Sequence, residues 1–544
     1  MAETNNTGTS GLSCEGAATP APSQKRDREY GMCVDPLVDE RSEDGREGFQ
    51  RKLTTLKEEG RLLEIYGFIL KYRPGRPVRL RQPIRGGYNA AFCLEYTDGA
   101  AVLRVALPGV NAFAEEKVRV EVATLRYIER MTSIPVPHVY HWGTAAESPL
   151  GLGPFIIMDY IPHKCSLADI LQDPSVEEDP GRQYLDRNVP GDKLERLYGQ
   201  VARIMLELSR LEMSRIGSLA YDEDRDAFTV GSRPLTQDMN ELVVQGGVPP
   251  CVLPPEPTTY ASSREWYEVL ADLHVAHLTF QRNQAIESAD DCRDKFVARF
   301  LFRQLVRQGK LLPDWEGGSW GRKKRRGEEK FKLWIDDFRP HNILVDADLN
   351  VVGVIDWEWA YFAPASFRDE PPWWLLLGRP ELWRGTVLDW RDEFSGVLDV
   401  FCRALDYVEE KEEREEKEDD GKWSIDQHID ALGLDAKEGF PTMTLRLSER
   451  MRQSWDSGTF WANYAARRCY GFDPVFWEFL DERFFRENAE GGFEGRMHLL
   501  PDKVRRRMQS FVDKKVEDSK EEKIDEWEPQ QAREYLAEIL ADLD

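Results

Sequence analysis

Hydrophobic and polar positions follow different periods in the two halves of the chain. Between about residues 84 and 160, short apolar runs alternate with glycine-containing turns, and residues 101–106 and 154–160 are typical of strands. One helix is predicted in this half, near residues 113–131. From residue 193 onward, apolar residues recur every three or four positions, which predicts amphipathic helices. The pattern therefore predicts an α+β protein in which a β-rich part precedes a mostly helical part.

The same pattern divides the 544 residues into four predicted segments. Residues 1–55 are rich in Thr, Ser, Gly, Pro and charged residues, and we expect a disordered N-terminal tail. Residues 56–160 form the small β-rich lobe and residues 161–487 the large helical lobe. Residues 488–544 carry many charges at helical spacing and are predicted to form a charged helical tail.

Composition excludes several classes of protein. Acidic residues exceed basic ones by 25, which argues against nucleic acid as a partner, because phosphate backbones attract basic surfaces. No stretch approaches the roughly 20 uncharged apolar residues of a spanning helix, and the first fifty residues contain no apolar signal core. We therefore expect no membrane contact and a cytoplasmic location. The eight scattered cysteines fit neither a disulfide scaffold nor a zinc site, so reduced thiols are expected.

Two other patterns leave a functional and a structural interpretation open. The basic run Arg322–Arg326 could serve nuclear import or phosphate binding, although an exposed loop is the favoured interpretation. His274 and His277 lie three residues apart on a predicted helix without an H-E-x-x-H motif. Such a pair is more often structural than a metal site.

The strongest chemical signal lies between residues 333 and 358. Asp337 is followed five residues later by Asn342, and Asp356 ends a second apolar run nineteen residues after Asp337. Transfer of a γ-phosphoryl group needs a carboxylate beside the acceptor hydroxyl, and an amide oxygen and a second carboxylate for magnesium. A short hairpin between these residues would hold all three at one pocket edge. The set therefore predicts a kinase-type catalytic loop at 335–358.

These motifs resemble the aminoglycoside phosphotransferase family of kinase-like small-molecule kinases, and within it the broad group of fungal members. The family commonly reads H-G-D-x-x-x-x-N-I-L-V and then V-x-x-V-I-D-W-E, where this chain has I-D-D-F-R-P-H-N-I-L-V and V-V-G-V-I-D-W-E. The resemblance covers about residues 80–480 and implies a two-lobed protein-kinase-like fold. It makes Asp337 the catalytic base and Asn342 and Asp356 the magnesium ligands. Because Ile335-Asp336 replaces His-Gly, Asp336 is a second candidate for the base, but the spacing to Asn342 favours Asp337.

The β-rich lobe supplies the predicted nucleotide-binding residues. Gly86 and Gly87 lie in a strand-turn-strand segment where the resemblance places a phosphate-covering loop. Arg104 stands where kinases usually have the lysine that contacts the nucleotide phosphates. Arginine supplies the same positive charge, so we expect Arg104 to contact the phosphates. Glu121 falls within the apolar stripe of its predicted helix, where a carboxylate is costly unless it is paired. We therefore predict an Arg104–Glu121 ion pair.

Three functions remain open at the level of the sequence. The first is an ATP- and Mg²⁺-dependent phosphotransferase that acts on a hydroxyl of a small molecule, with Arg339 as a possible phosphate or substrate contact. The second is a catalytically inactive kinase-fold protein that binds a nucleotide or a protein partner, which the replaced His-Gly and Arg104 favour. The third, a protein kinase, is disfavoured because D-W-E stands in place of D-F-G. The retained Asp337, Asn342 and Asp356 favour the first. The acceptor and any protein partners are beyond what the sequence identifies.

Overall fold

A computed structural model describes residues 31–176, 183–311, 329–420 and 445–541. Residues 1–30 and the basic run Arg322–Arg326 lie outside the described residues. The described chain has the predicted α+β, protein-kinase-like architecture, with a small antiparallel sheet in the N-terminal lobe and a large helical C-terminal lobe. Within these ranges, no helix is both long and apolar enough to cross a membrane. The seven described cysteines are all free.

The N-terminal lobe is built on one antiparallel sheet. Its strands follow the order β1-β3-β4-β6-β5, and β2 pairs with β3. Successive side chains of β4 point to opposite faces, so Leu103 and Val105 pack toward the first two helices while Val102 and Arg104 face the third. The elements of this lobe are α1 (Pro36–Glu58), α2 (Leu62–Tyr72), β1 (Pro77–Leu80), β2 (Ile84–Arg85), β3 (Asn89–Tyr96), β4 (Gly99–Ala106), α3 (Ala114–Met131), β5 (Val139–Gly143) and β6 (Phe155–Asp159).

Helices form most of the C-terminal lobe, and a single large apolar core extends through it. Its first part contains β7 (Cys165–Ser166), α4 (Leu167–Leu171), α5 (Gly191–Ser209), β8 (Glu212–Met213), β9 (Ser218–Asp222), β10 (Ala227–Ser232), α6 (Gln237–Val244), α7 (Ser263–Phe280) and α8 (Ala289–Arg307). Its last part contains α9 (Ala365–Arg368), α10 (Val387–Asp420), α11 (Leu447–Asp456), α12 (Thr459–Arg467), α13 (Phe472–Val475), a π-helical turn (Phe476–Leu480), α14 (Asp481–Phe485), α15 (Asp502–Asp518) and α16 (Pro529–Leu540).

Two small sheets between these parts carry the predicted catalytic loop. The strands are β11 (Phe331–Ile335), β12 (Ile343–Val345), β13 (Val351–Val354) and β14 (Ala360–Ala363). β11 pairs with β14 and β8, and β12 pairs with β13 and β7. Both sheets are antiparallel, so the loop after β11 and the loop after β13 meet at the same side of the lobe.

The predicted boundaries fail at the N-terminal end. Disorder was predicted to residue 55, but α1 begins at Pro36, where Asp35 caps it by accepting from the backbone NH groups of Leu37 and Val38. Phe49 and Leu53 of α1 are buried against the N-terminal lobe. The prediction is wrong for this helix because composition averages over a segment, whereas a few apolar residues at helical spacing are enough to anchor it.

The predicted C-terminal tail forms helices, but they pack on the large lobe. Val504, Phe511 and Val512 of α15 are buried, as is Ala532 of α16. Both helices belong to the main apolar core. The charges of residues 488–541 lie around these anchoring positions, so these residues are an integral part of the described lobe.

Candidate functional site

The catalytic loop begins where β11 ends and is held by its own backbone. The backbone NH of Phe338 donates to the carbonyl of Ile335 at 3.3 Å, and that of Asn342 donates to Arg339 at 2.9 Å. The amide nitrogen of Asn342 donates to the carbonyl oxygen of Asp337 at 2.8 Å and to its Oδ2 at 3.2 Å. The structure therefore brings the predicted base and the predicted magnesium ligand into direct contact. Because the NH₂ group of Asn342 is used here, its amide oxygen is the atom left to bind a cation.

Asp337 is a buried carboxylate with a perturbed pKa. Burial raises the pKa of Asp337 to about 6, although Arg339 and Arg379 pull it down. The Arg339 guanidinium lies 2.9 Å from Asp337 Oδ1. A carboxyl that titrates near neutral pH suits a group that accepts a proton from a hydroxyl.

Asp336, the rival base, has a different environment. Its Oδ1 accepts from the indole NH of Trp334 at 2.7 Å and from the hydroxyl of Tyr361 at 3.4 Å. Its Oδ2 accepts from the backbone NH of Gln237 at 3.0 Å. Both oxygens therefore hold the catalytic loop against β14 and the start of α6. This geometry favours Asp337 as the base, and the assignment stays a prediction.

Arg104, Glu121 and Asp356 form one ion cluster, in which Arg104 and Glu121 are buried and Asp356 is partly exposed. Arg104 projects from β4 toward α3 and donates to Glu121, as the sequence predicts, and its second nitrogen donates to Asp356 Oδ1. Burial raises the pKa of Glu121 to about 7, against the attraction of Arg104, and also raises the pKa of Asp356. For Arg104, burial opposes the charge, but the two carboxylates outweigh it and raise its pKa.

Asp356 also has an unusual backbone conformation. Its φ angle is 56°, in the left-handed region that residues other than glycine rarely occupy. Such conformations cost about 1–3 kcal/mol and cluster at functional sites. The conformation turns the chain sharply at the end of β13. It places a carboxylate that is about one-third exposed beside the mostly buried Arg104.

Asp356 and Asn342 satisfy the chemical requirements of a magnesium ion. Magnesium is usually held by one or two carboxylates together with substrate phosphates and waters. Arg104 contacts Oδ1 of Asp356, which leaves Oδ2 as the ligand atom. The backbone NH of Ile355, the residue before Asp356, donates to the carbonyl of Asn342 at 2.9 Å, so the two loops meet here. In the described ranges, no three His, Cys, Asp or Glu side chains are grouped as a protein-only metal site. One carboxylate and one amide oxygen fit a magnesium ion of the kind that also takes phosphate oxygens and waters as ligands.

A second buried pair, Lys117 and Glu358, was not singled out from the sequence. Lys117 Nζ lies 2.6 Å from Glu358 Oε2 and 3.2 Å from Asn89 Oδ1, and Asn89 Nδ2 donates to Glu358 Oε2 at 3.1 Å. Burial would raise the pKa of Glu358, but Lys117 and Arg104 outweigh burial and lower it. A signal was available, because Lys117 precedes Glu121 by four residues and therefore shares its helix face. The network joins β3, α3 and the D-W-E segment.

The predicted glycine turn lies between β2 and β3. The backbone NH of Gly86 donates to the carbonyl of Asn89 at 2.8 Å, which closes the turn. A Cβ placed on Gly87 would meet no heavy atom within 4 Å, so the turn is open at this point. Within the described residues, neither Gly86 nor Gly87 is hydrogen-bonded to Arg104 or Asp337. The turn is linked to the Lys117–Glu358 pair through Asn89, whose Nδ2 donates to Glu358 Oε2.

Comparison with known proteins identifies the family. A model described as "Phosphotransferase enzyme family" matches residues 81–368, more than half of the chain. A curated relative, altered inheritance of mitochondria protein 9, mitochondrial, of Zygosaccharomyces rouxii, is 26% identical over 151 residues, 27% of this chain and 23% of that protein. The chain thus matches about a quarter of that relative's length.

Solved structures are similar at low sequence identity. The aminoglycoside phosphotransferase APH(4)-Ia is 16% identical, over 76% of this chain and 99% of that chain, with a TM-score of 0.36. A macrolide 2'-phosphotransferase type I is 12% identical, over 77% of this chain and 97% of that chain, with a TM-score of 0.34. The family match confirms the resemblance carried by the D-W-E and N-I-L-V motifs. The chain therefore belongs to the phosphotransferase enzyme family, the kinase-like aminoglycoside phosphotransferase group.

Proposed function

We propose that the protein transfers the γ-phosphoryl group of ATP, in the presence of Mg²⁺, to a hydroxyl of a small molecule. The observation that carries this proposal is that two clusters of polar residues lie together where the loop after β11 meets the loop after β13. One contains the buried base candidate Asp337 with Asn342, and the other joins Arg104 and Glu121 to Asp356. A structural role alone needs neither a buried carboxyl with a pKa of about 6 nor a partly exposed one in a left-handed conformation.

In this mechanism the protein positions the reactants and stabilises charge. Arg104, oriented by Glu121, contacts the nucleotide phosphates, and the open turn at Gly86 and Gly87 covers them with backbone. Asp356 and Asn342 would hold the magnesium ion, which neutralises phosphate charge when bound. The acceptor hydroxyl oxygen attacks the γ-phosphorus, the bond to the β–γ bridging oxygen breaks, and ADP leaves. Asp337 receives the hydroxyl proton and releases it to solvent.

One observation favours the alternative of a nucleotide- or partner-binding protein without catalysis. Arg104 occupies one oxygen of Asp356, the predicted magnesium ligand. In an inactive protein this contact would replace the metal. In an active enzyme it must be compatible with magnesium bound to the other oxygen. The alternative predicts nucleotide binding that is indifferent to magnesium.

Thermal unfolding with ATP, with and without Mg²⁺, tests the proposal on the full chain. ATP with Mg²⁺ should raise the melting temperature of the wild type by a few degrees, since a ligand at 100 times its Kd stabilises by about 2.7 kcal/mol. Asp356→Ala should lose the magnesium-dependent part. Asp348→Ala, an exposed aspartate in the turn between β12 and β13, is the matched control and should behave as wild type. No stabilisation of the wild type by ATP or GTP with magnesium would contradict the proposal, and stabilisation that ignores magnesium would favour the inactive alternative.

A further inference from the structure

Beside the catalytic loop, a small polar pocket opens on the side of Asp336. Its volume is about 20 Å³, room for one water-sized group. Gln237 and Asp336 form one part of its wall, and Trp373, Arg379 and Arg468 another. Arg379 in its wall is close enough to Asp337 to lower the pKa of that carboxyl, so a molecule that places a hydroxyl at Asp337 can place a neighbouring group here.

Two of the three arginines at this pocket are already paired. Arg467 makes a bidentate bond to Glu370, with distances of 2.8 and 2.6 Å. Arg468 lies 3.1 Å from Glu241 Oε2, and its buried Nε lies 3.7 Å from Glu381 Oε1. Since these arginines have buried carboxylate partners, their charges are compensated within the protein.

Arg379 is the exception. Its guanidinium lies over the ring of Trp373, 4.8 Å from the centroid, and donates to Gln237 Oε1 at 3.3 Å. In the described part of the chain, no carboxylate oxygen lies within 4.0 Å of it. Arg379 is half-buried and close enough to Asp337 to lower its pKa. A fixed, half-buried guanidinium presents a flat fork of donors suited to a carboxylate or a phosphate.

The carboxylate of Asp336 is not free in the same way to bind a cationic group. Its two oxygens already accept three hydrogen bonds, from Trp334, Tyr361 and Gln237. An ammonium group entering the pocket would therefore meet an acceptor whose lone pairs are largely used, next to the unpaired charge of Arg379. An anionic oxygen would meet the donors of Arg379 that Gln237 does not use.

We propose that this pocket holds an anionic oxygen of the acceptor, from a carboxylate or a phosphate, against Arg379. The phosphoryl acceptor is then an acidic hydroxyl compound and not a neutral or cationic one. The inference rests on the proposed phosphotransferase function and adds the charge class of its substrate. Arg379 sets this specificity by binding a part of the acceptor away from the reacting hydroxyl.

Anion binding to the full-length protein tests the inference directly. The probes are inorganic phosphate and malonate, with sodium chloride at equal ionic strength as reference, because screening alone shifts stability. Both anions should stabilise the wild type, and Arg379→Gln should bind them about tenfold more weakly or worse, as expected for loss of a charge-assisted hydrogen bond. A stronger effect of phosphate or of malonate identifies the kind of acidic group. Arg225→Gln removes an arginine that is 82% exposed and lies outside this pocket, and it should bind as wild type.

A conservative variant, a cationic probe and a folding control complete the test of anion binding at Arg379. Arg379→Lys keeps the charge without the fork and should retain part of the anion binding that Arg379→Gln loses. Equal anion binding by the wild type and Arg379→Gln, or stabilisation of the wild type by ammonium instead, would overturn the inference. The melting temperature in chloride alone reports whether each variant is folded. Mg-ATP stabilisation is measured on the same samples, so loss of nucleotide binding, which contradicts the proposed function, is seen separately from loss of anion selectivity.

Discussion

Two clusters of charged residues lie on either side of Asp337. They differ in whether every arginine has a carboxylate partner. On the proposed nucleotide side, Arg104 joins carboxylates from both lobes, Glu121 and Asp356. On the proposed acceptor side, Arg467 pairs fully with Glu370, while Arg379 has no carboxylate partner in the described chain. The first arrangement is a preformed frame that ties the lobes together. The second leaves one charge available to a ligand, so binding selectivity is expected there.

The largest expected effect separates the two adjacent aspartates between these clusters. Asp337→Asn should reduce phosphoryl transfer by about a hundredfold to ten-thousandfold, the usual contribution of a general base, while Mg-ATP binding persists. Transfer is measured as ADP release that depends on the acceptor. Asp336→Asn should mainly lower the melting temperature, because Asp336 accepts bonds from Trp334 and Gln237. Full activity of Asp337→Asn with an inactive but folded Asp336→Asn would reverse the assignment.

Two buried glutamates sharpen the contrast between the clusters. Glu121→Ala and Glu370→Ala each leave a buried arginine without its main partner, and each should cost about 3 to 5 kcal/mol of unfolding free energy. Their ligand effects should differ. Glu121→Ala should also weaken ATP binding, since Arg104 is no longer held in place, whereas Glu370→Ala should leave ATP affinity unchanged. Chemical denaturation and nucleotide titration of both variants measure this. Equal loss of ATP affinity would show that the clusters are not separate.

The sequence was informative on one side of this comparison and much less on the other. Asp337, Asn342 and Asp356 follow one another in the order and at the spacings of a kinase-type catalytic loop. Glu121 lies in an apolar stripe, which indicates that it has a cationic partner. These signals are local, within one hairpin or one helix. Lys117 carried the same local signal, four residues before Glu121, and was missed because its partner Glu358 is 241 residues away.

The acceptor side depends on long-range packing and could not be predicted. Gln237, Trp334, Arg379 and Arg468 come from four separate segments, and no spacing in the sequence relates them. The sequence analysis does not predict helix α1 for a related reason. The few residues that anchor it stand in a polar segment, and only the fold shows that they are buried. Local chemistry was therefore predictable, whereas sites assembled by the fold were not.

The pH dependence of phosphoryl transfer should follow the protonation of Asp337, which lies between the two clusters. Asp337 must be deprotonated to accept a proton, and its pKa is about 6. The kcat/KM should therefore be flat above pH 7 and fall about tenfold per pH unit below 6. Arg339→Gln removes a neighbouring positive charge that favours the carboxylate, so the midpoint should move to higher pH. A profile that does not change between pH 5 and 8, with chemistry rate-limiting, would contradict Asp337 as the base.

The smallest expected effect lies in the glycine turn over the nucleotide side. Gly87→Ala adds a methyl group that meets no heavy atom within 4 Å, so the free energy of unfolding should change by less than about 0.5 kcal/mol. The KM for ATP should nevertheless rise a few-fold, since the methyl group enters the space where backbone is proposed to approach phosphate. Gly67→Ala, in α2, also meets nothing within 4 Å and is the control for the KM, although alanine inside this helix should itself raise the free energy of unfolding by about 0.5–1 kcal/mol. If both variants keep the wild-type KM, the turn does not cover the phosphates, and the nucleotide side consists of the Arg104 cluster alone.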